Sequence, residues 1–476
     1  MKSYLFKPIL LLVVILSAIP VSAYHFCEAN DDGVMIYYNI ISEANKTCEV
    51  TAMQNRSSWT ENDNYTDYVG EVNIPSSANG YTVVRIGDKA FRCCRSLTSV
   101  TIPNTVTYIG GYAFRDCSSL TSVIIPDSVV TIGMYAFGYC SSLTSVTIGN
   151  SVTTIGGWAF TSCGRLSSIF IPKSVTSIDS NPFCYYTNLE SIVVEEGNPV
   201  YNSANDCNAI IETTTNTLRV GCKNTVIPNT VTTIGDWAFY YCTDLTSIII
   251  PNSVTNIKYS AFDGCSSLTS ATIPNSVTTF GWYVFRDCSS LTSVTIPSSV
   301  TTIGERVFLN CTSLTSVTSY ITDVFETGRN AFYNCPNATL YVPAGLKEAY
   351  QSTADWNRLK NVEEIPGISL ALACSNQGKV GINNNISFTN KVGEVTVYDG
   401  ADNTFVFTPD EGCRLDRVLL NGLDVTKSVK NNRLTTVIQG HSSMNVIFTS
   451  QGMDVNGDGR VDISDVVTLV NFILGM

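Results

Sequence analysis

The sequence predicts a mostly β protein: a right-handed solenoid of about ten 23-residue coils, then a small β-sandwich, then a short helix behind a calcium loop. Three observations predict it. Phenylalanine recurs at a spacing of 23 residues through long stretches between Phe91 and Phe332. Beyond residue 366 the period stops and short alternating strands take over. The last residues carry side-chain oxygens at calcium-loop spacing.

The chain opens on an export signal over residues 1–23. Lys2 and Lys7 supply the positive start, and the apolar run Ile9 to Ile19 is too short to span a bilayer comfortably. Val21-Ser22-Ala23 is a small-residue cleavage site, so the mature chain is expected to begin near Tyr24 without a transmembrane anchor. A retained anchor is the alternative. Cys27 has no lipobox-like run before it.

Residues 24–85 are expected to form an N-terminal β cap, and residues 86–365 the solenoid. The unit AFRCCRSLTSVTIPNTVTYIGGY begins at Ala90 and is followed by AFRDCSSLTSVIIPDSVVTIGMY. Phe91, Phe114, Phe137, Phe160 and Phe183 mark five units, and Phe239, Phe262, Phe285, Phe308 and Phe332 mark five more. A fixed period of roughly 20–29 residues with Leu at set offsets is the signature of a leucine-rich repeat. Within a unit, Leu97, Val100 and Ile102 should point inward from a short strand that Pro103 ends. Val106 and Ile109 should point inward on the return path, Gly110 should permit the turn, and Ala113-Phe114 should refill the core. One coil cannot close its own apolar face, so the array is stable only as an array.

The LTSVTIP strand, the SVTTIG return and the AF-x-x-C corner resemble the BspA-like leucine-rich-repeat family of bacterial surface proteins. The resemblance covers about residues 30 to 362. It implies that GVMIYYNI and GEVNIPSSANGYTVVRIGDKAF form the opening cap. It also implies that YVPAGLKEAYQSTADWNRLKNVEEI closes the array with a short helix. Phe183 to Phe239 spans 56 residues, so an insertion around 195–226 interrupts the period. NAIIETTTNTLRVG reads there as a protruding β-hairpin. Cys207 and Cys222 flank it, and whether they form a disulfide is a question of geometry.

Residues 366–451 show strand-like runs such as EVTVYD, NTFVFTP and LTTVIQG, the pattern of a small β-sandwich. FTPDEGCRLDRVLLNGLDVT resembles the divergent spacer domains of bacterial surface proteins. In the tail, 452–476, DVNGDGRVDISD places Asp454, Asn456, Asp458, Asp462 and Asp465 at positions 1, 3, 5, 9 and 12 of a calcium loop. Arg460 would contribute only its backbone carbonyl. Ile463, Val466, Val467, Val470 and Leu474 lie on one face of the helix that follows. Asp at position 12 resembles a dockerin half-motif more than an EF-hand. A dockerin has two halves and this chain has one, and Ile463-Ser464 departs from the usual Ser-Thr pair.

Other functions are excluded by composition. The net charge of −12 lacks the basic footprint that nucleic acid requires. Seventeen cysteines in an exported chain would suggest disulfides. Yet Cys94, Cys117, Cys140 and Cys163 recur with the repeat, as do Cys242, Cys265, Cys288 and Cys311. They read as one column of small buried core residues. The two histidines, His25 and His441, lie in separate regions and leave almost no material for a Ser-His-Asp triad or a histidine metal site. Paired carboxylates hold no fixed place in the strand, so no enzyme site can be assigned.

Two columns are candidate binding surfaces. The residue between the inward apolar positions of each front strand should face solvent, and Ile124, Phe170, Val193 and Ile249 make an apolar stripe among threonines there. Exposed apolar patches often mark contact surfaces. One residue before each Ala-Phe stand Tyr112, Tyr135, Trp158, Trp237 and Tyr283. These either stack on a glycan or anchor a protein, or they form a ladder that stiffens the solenoid. The leading reading is a secreted or cell-surface binding and adhesion protein with a host or bacterial protein partner, as the resemblance implies. The alternative is a non-catalytic carbohydrate-binding or scaffold subunit, attached through its tail to a cohesin-like partner or to a second copy.

Overall fold

The computed structural model describes residues 24–52, 68–185, 188–203, 206–359, 361–365, 367–374, 378–382, 386–389, 392–398, 401–410, 413–421, 423–438 and 442–450. The expected export signal and the calcium tail lie outside the described residues. The chain divides into two compact units, Met1–Thr269 with Gly281–Ser290, and Ser270–Phe280 with Leu291–Met476. Both are built almost wholly from β structure.

In the first unit each coil has a front strand, a return strand and a corner. Leu97–Thr101 is the first front strand of a full repeat and Tyr108–Ile109 its return. Return strands pair in parallel and in register, Ile109 with Ile132 and Ile132 with Ile155. Front strands do the same, with Ser122, Val123 and Ile124 opposite Ser145, Val146 and Thr147. The period of two sends Val123 inward and leaves Ser122 and Ile124 in solvent. Leu97, Val106, Ile109, Ala113 and Phe114 are fully buried, as the pattern required.

The phenylalanine column is a continuous stack. Phe91, Phe114, Phe137, Phe160 and Phe183 follow one another at ring-centroid distances of 4.8, 5.0, 5.4 and 5.6 Å. The rings are near-parallel at the coil spacing, with interplanar angles of 3 to 9°. At its N-terminal end Tyr68 lies on Phe91, with centroids 4.4 Å apart. The cap strands Phe26–Ala29, Met35–Ser42 and Thr47–Thr51 pair antiparallel. Thr47–Thr51 then runs parallel to Tyr81–Ile86, which carries the sheet on to the first return strand.

Gly110 has a different role from the one expected. It has no positive φ; the left-handed positions of that corner are Tyr112 and Asp116, at φ 59° and 64°. A Cβ on Gly110 would instead come within 2.6 Å of the Asp88 backbone. Gly133 and Gly156 repeat this close approach to the preceding coil. The glycine is there for stacking distance, and the left-handed turn is supplied by larger residues whose N–H groups bond to the next coil. Tyr112 N donates to Met134 O, Phe114 N to Ala136 O and Asp116 N to Gly138 O.

The inserted hairpin does not protrude. Ala209–Glu212 and Thr217–Gly221 pair antiparallel, and Thr217–Gly221 runs parallel to the return strand Thr233–Ile234. Ile210, Ile211, Leu218 and Val220 are buried. The hairpin joins the return-side sheet because its apolar residues need cover, and only the turn at 213–216 is exposed. Cys207 and Cys222 are unbridged, and the Cys222 thiol donates to Asn208 O at 3.4 Å.

In the second unit, Ser270–Thr272, Ser293–Ile296, Ser316–Ser319, Thr339–Pro343 and Asn361–Ile365 form a sheet in that order. The expected closing helix is Lys347–Ser352, followed by a 3-10 turn at Trp356–Arg358. Trp356 packs on Phe332 at 5.0 Å and so ends the aromatic stack of this unit. The buried Tyr350 hydroxyl donates to Ile321 O at 2.7 Å. Beyond it two sheets form a small β domain. One holds Val392–Tyr398, Gly367–Cys374, Ser442–Ser450, Cys413–Leu420 and Leu423–Asp424; the other holds Ile386–Thr389, Gly378–Ile382, Ala401–Pro409 and Arg433–Ile438. Val380, Phe405 and Phe407 share one core with Val418, Met444 and Phe448. Gly378–Ile382 and Ile386–Thr389 were not expected as strands; in the first, glycines at 378 and 381 hide the alternation. Among the described residues no helix is long and apolar enough to cross a membrane.

Candidate functional site

The four apolar stripe residues stand in solvent. Ile124 is 70% exposed, Phe170 49%, Val193 44% and Ile249 80%. Each sits between inward residues of a short parallel strand, so a rigid sheet presents it. Phe170 and Val193 are direct partners on neighbouring strands. Two ion pairs lie near Val193, with Lys223 Nζ 2.8 Å from Glu190 and Lys173 Nζ 3.5 Å from Glu195. The Lys173 backbone N–H also holds the Glu195 carboxyl below its ordinary range.

The structure adds a fifth member. Val226 is 69% exposed between the buried Thr225 and Ile227. Val226-Ile227-Pro228 precedes NTVTTIG as Thr101-Ile102-Pro103 precedes NTVTYIG, which is the signal that could have found it. Val226 lies in no strand; the insertion takes the place of the Leu-Thr-Ser segment that begins the front strands elsewhere and so hides the register.

The aromatic column is a different kind of object. Tyr112, Tyr135, Trp158, Trp237 and Tyr283 are half-buried, and all have left-handed backbone. Tyr112 stacks on Tyr135 at 5.2 Å and Tyr135 on Trp158 at 5.4 Å. Trp158 meets Trp237 edge-on at 6.1 Å, across the buried Asn181, whose Nδ2 donates to Trp237 O. Tyr259, which the sequence pattern did not single out, bridges Trp237 and Tyr283. Each ring covers the next, so the column acts first as an interlocked ladder. Left-handed backbone at large residues costs on the order of 1–3 kcal/mol each. The coil-to-coil hydrogen bonds and ring stacking offset it.

The cysteine column lies in the core behind these corners. All eight repeat cysteines named from the sequence are buried. The thiols of Cys117, Cys140, Cys163, Cys265 and Cys288 each donate to the carbonyl of a column phenylalanine, at 3.1 to 3.3 Å. Burial pushes Cys163 and Cys242 up to about 12 and holds them as thiols. Thus the Sγ atoms satisfy backbone acceptors, and Cys140, Cys163, Cys242 and Cys265 are unbridged. One buried ion pair stands out at the same corner. Arg286 bonds Asp263 at 2.7 and 2.8 Å, and burial raises the Asp263 carboxyl to about 6 against the opposing pull of Arg286.

His25 Nδ1 accepts the Ile40 N–H at 2.9 Å; His441 lies outside the described residues. The expected calcium ligands, Asp454 to Asp465, also lie outside them. Among the described residues, no three His, Cys, Asp or Glu side chains cluster as a metal site would need.

No curated relative matches the chain. Residues 84–208 and 218–339, more than half of the chain, match the pattern described as BspA type Leucine rich repeat region, in six copies. The break in the match falls within the inserted hairpin. Among solved structures, the chain resembles the pneumococcal vaccine antigen PcpA in fold. The identity is 16%, the alignment covers 72% of this chain and 99% of PcpA, and the TM-score is 0.51. A leucine-rich cell surface protein from Faecalibacterium prausnitzii is 27% identical over 62% of this chain and 95% of its own, with a TM-score of 0.40. A leucine-rich-repeat protein from Bacteroides ovatus is 26% identical over 70% of this chain and 98% of its own, with a TM-score of 0.33.

Proposed function

The chain belongs to the BspA-type leucine-rich-repeat family, and from that premise we propose that it is an exported, non-catalytic adhesion protein whose front strands bind another protein. One observation carries the reading: Ile124, Phe170, Val193 and Ile249 are exposed at one register position of the front strands, and Val226 stands exposed at the matching place in its own coil. Apolar side chains in solvent are the usual content of an interface centre, and a few large ones dominate binding energy. Threonines flank the stripe and supply a polar rim. The partner is an extracellular host or bacterial protein, and export through residues 1–23 places the chain at the cell surface or outside it.

The test is retention of the full chain on immobilised extracellular-matrix proteins and on intact bacterial cells, against Phe170→Ser with Ile249→Ser. Capture by a matrix or surface protein that falls at least about tenfold in the double variant supports the reading. Capture unchanged by those substitutions would move the site off the front strands.

A second reading rests on the ligand spacing of the tail. Asp454, Asn456, Asp458, the Arg460 carbonyl, Asp462 and Asp465 would hold one calcium ion, and the ordered helix would then attach the chain to a cohesin-like partner or a second copy. Calorimetric titration of the full chain with calcium should give one site that Asp454→Ala with Asp458→Ala removes. No calcium uptake by the wild type would sink the assignment.

A further inference from the structure

A second left-handed column lies at the corners, one residue before Cys117, Cys140 and Cys163 and at the same 23-residue spacing in the next coil. Asp116, Tyr139, Ser162 and Tyr185 occupy successive rungs, with Tyr139, Ser162 and Tyr185 at φ 62°, 56° and 61°. The rungs are tied together in order. Asp116 N donates to Gly138 O, Tyr139 N to Thr161 O and Ser162 N to Cys184 O. Tyr139 and Tyr185 are therefore two rungs apart, about 9.6 Å along the stack. Both rings are 39% exposed, and the half-buried Ser162 leaves a notch between them.

The two rings are braced in advance. Tyr185 stacks on Tyr241 at 4.2 Å and meets Tyr240 edge-on at 5.4 Å, with the Tyr185 and Tyr240 hydroxyls 3.4 Å apart. Tyr139 lies 4.9 Å from the Arg115 guanidinium, which also reaches Tyr135 at 5.6 Å. A tyrosine held this way loses little rotamer freedom when it binds. Two charged clusters beside the patch are paired internally. Arg115 is paired with Asp116 at 3.4 Å, and Arg286 with Asp263 and Asp287 at 2.7 and 3.5 Å.

We infer that Tyr139 and Tyr185, bracketing Ser162, form a subsite for a neutral oligosaccharide. A sugar ring presents an apolar C–H face and a rim of hydroxyls, and the notch offers aromatic faces and phenol and serine hydroxyls in the same place. A charged ligand would gain a counter-charge from these two clusters only by displacing an ion pair. Burial holds the Tyr185, Tyr240 and Tyr241 phenols above their ordinary range, so their hydroxyls remain donors. This subsite lies on the corner and is independent of the front-strand stripe.

The full chain is titrated by calorimetry with cellohexaose, mannohexaose and laminarihexaose, and with polygalacturonate as the anionic contrast. At least one neutral hexasaccharide should bind. Tyr139→Ala should weaken it about tenfold, the worth of one stacked ring. Ser162→Tyr should abolish it by filling the notch; the rungs on either side show that this backbone accepts a tyrosine. Melting temperatures should stay near the wild-type value, and Phe170→Ser should bind the sugar normally. That last variant separates this site from the front-strand reading. Binding of polygalacturonate alone, no neutral hexasaccharide bound, or binding that survives both corner substitutions in folded protein would each overturn the proposal.

Discussion

Phe170 and Val193 sit directly opposite one another on adjacent parallel strands, and both side chains stand in solvent. An apolar cross-strand pair contributes roughly 0.2–1 kcal/mol to the sheet. Little of the fold's stability therefore rests on these residues, and they are free to serve a partner. The same coil holds Phe160 in its core, fully buried and stacked on both sides. The front strand and the corner of one coil thus divide the work between surface and core.

Phe170→Ser should shift stability by no more than about 1 kcal/mol, whereas Phe137→Ala should cost about 3–5 kcal/mol through the cavity it opens in the stack. Thermal melts of the two variants check this. A large loss for Phe170→Ser would mean that the stripe is part of the core.

Native protein should expose almost no reactive thiol from the column, because Cys140, Cys163, Cys242 and Cys265 are buried and high in pKa. In denaturant without reductant these four should label fully. Thiol counting by mass spectrometry reads both states; persistent protection of the four in denaturant would reveal bridges instead.

Gly156→Ala and Gly157→Ala should differ sharply despite being neighbours. A Cβ at Gly156 would lie 2.6 Å from Met134 N, while at Gly157 the nearest atom is Ser180 Cβ at 3.4 Å. Overpacking at the first position should cost about 1–3 kcal/mol, and the second should be near neutral. Urea midpoints of the two variants decide it, and equal loss in both would contradict the close-approach role.

Asp263 predicts a pH dependence of defined sign. Its carboxyl titrates near 6 in the fold against 3.8 unperturbed, so the folded state binds the extra proton between those values. Stability should therefore fall as pH rises from about 4 to 6, by about 3 kcal/mol at most from this group. Asp263→Asn should remove that slope. Denaturant unfolding of both proteins across this range reads it, and identical slopes would show that the group is not responsible.

How much was legible in the sequence follows from which residues repeat. Phe91, Leu97, Val106, Ile109 and Cys117 return at the same offsets in coil after coil, and all are buried. Ile124 and Ile249 could be placed outside because a strand alternates and their neighbours were already assigned to the core. Tyr68 and Trp356, which end the stacks in their own units, do not belong to the repeat, and only packing shows what they cover. Val226 was hidden because the insertion removes the Leu-Thr-Ser segment that marks the register elsewhere.

By itself the sequence determined the stacked-coil architecture and the inward and outward faces of the front strands. Periodicity carries these, because every coil solves the same burial problem with the same residues. Tertiary structure alone decided that the hairpin at 209–221 joins the return sheet, since an apolar strand with polar turns reads the same whether it protrudes or pairs. It alone decided that the repeat glycine is set by distance and that the left-handed turns fall on Tyr112 and Asp116. It also brought Tyr185 onto Tyr241 across 56 residues of chain, because that contact is made by stacking coils whose order the insertion had obscured.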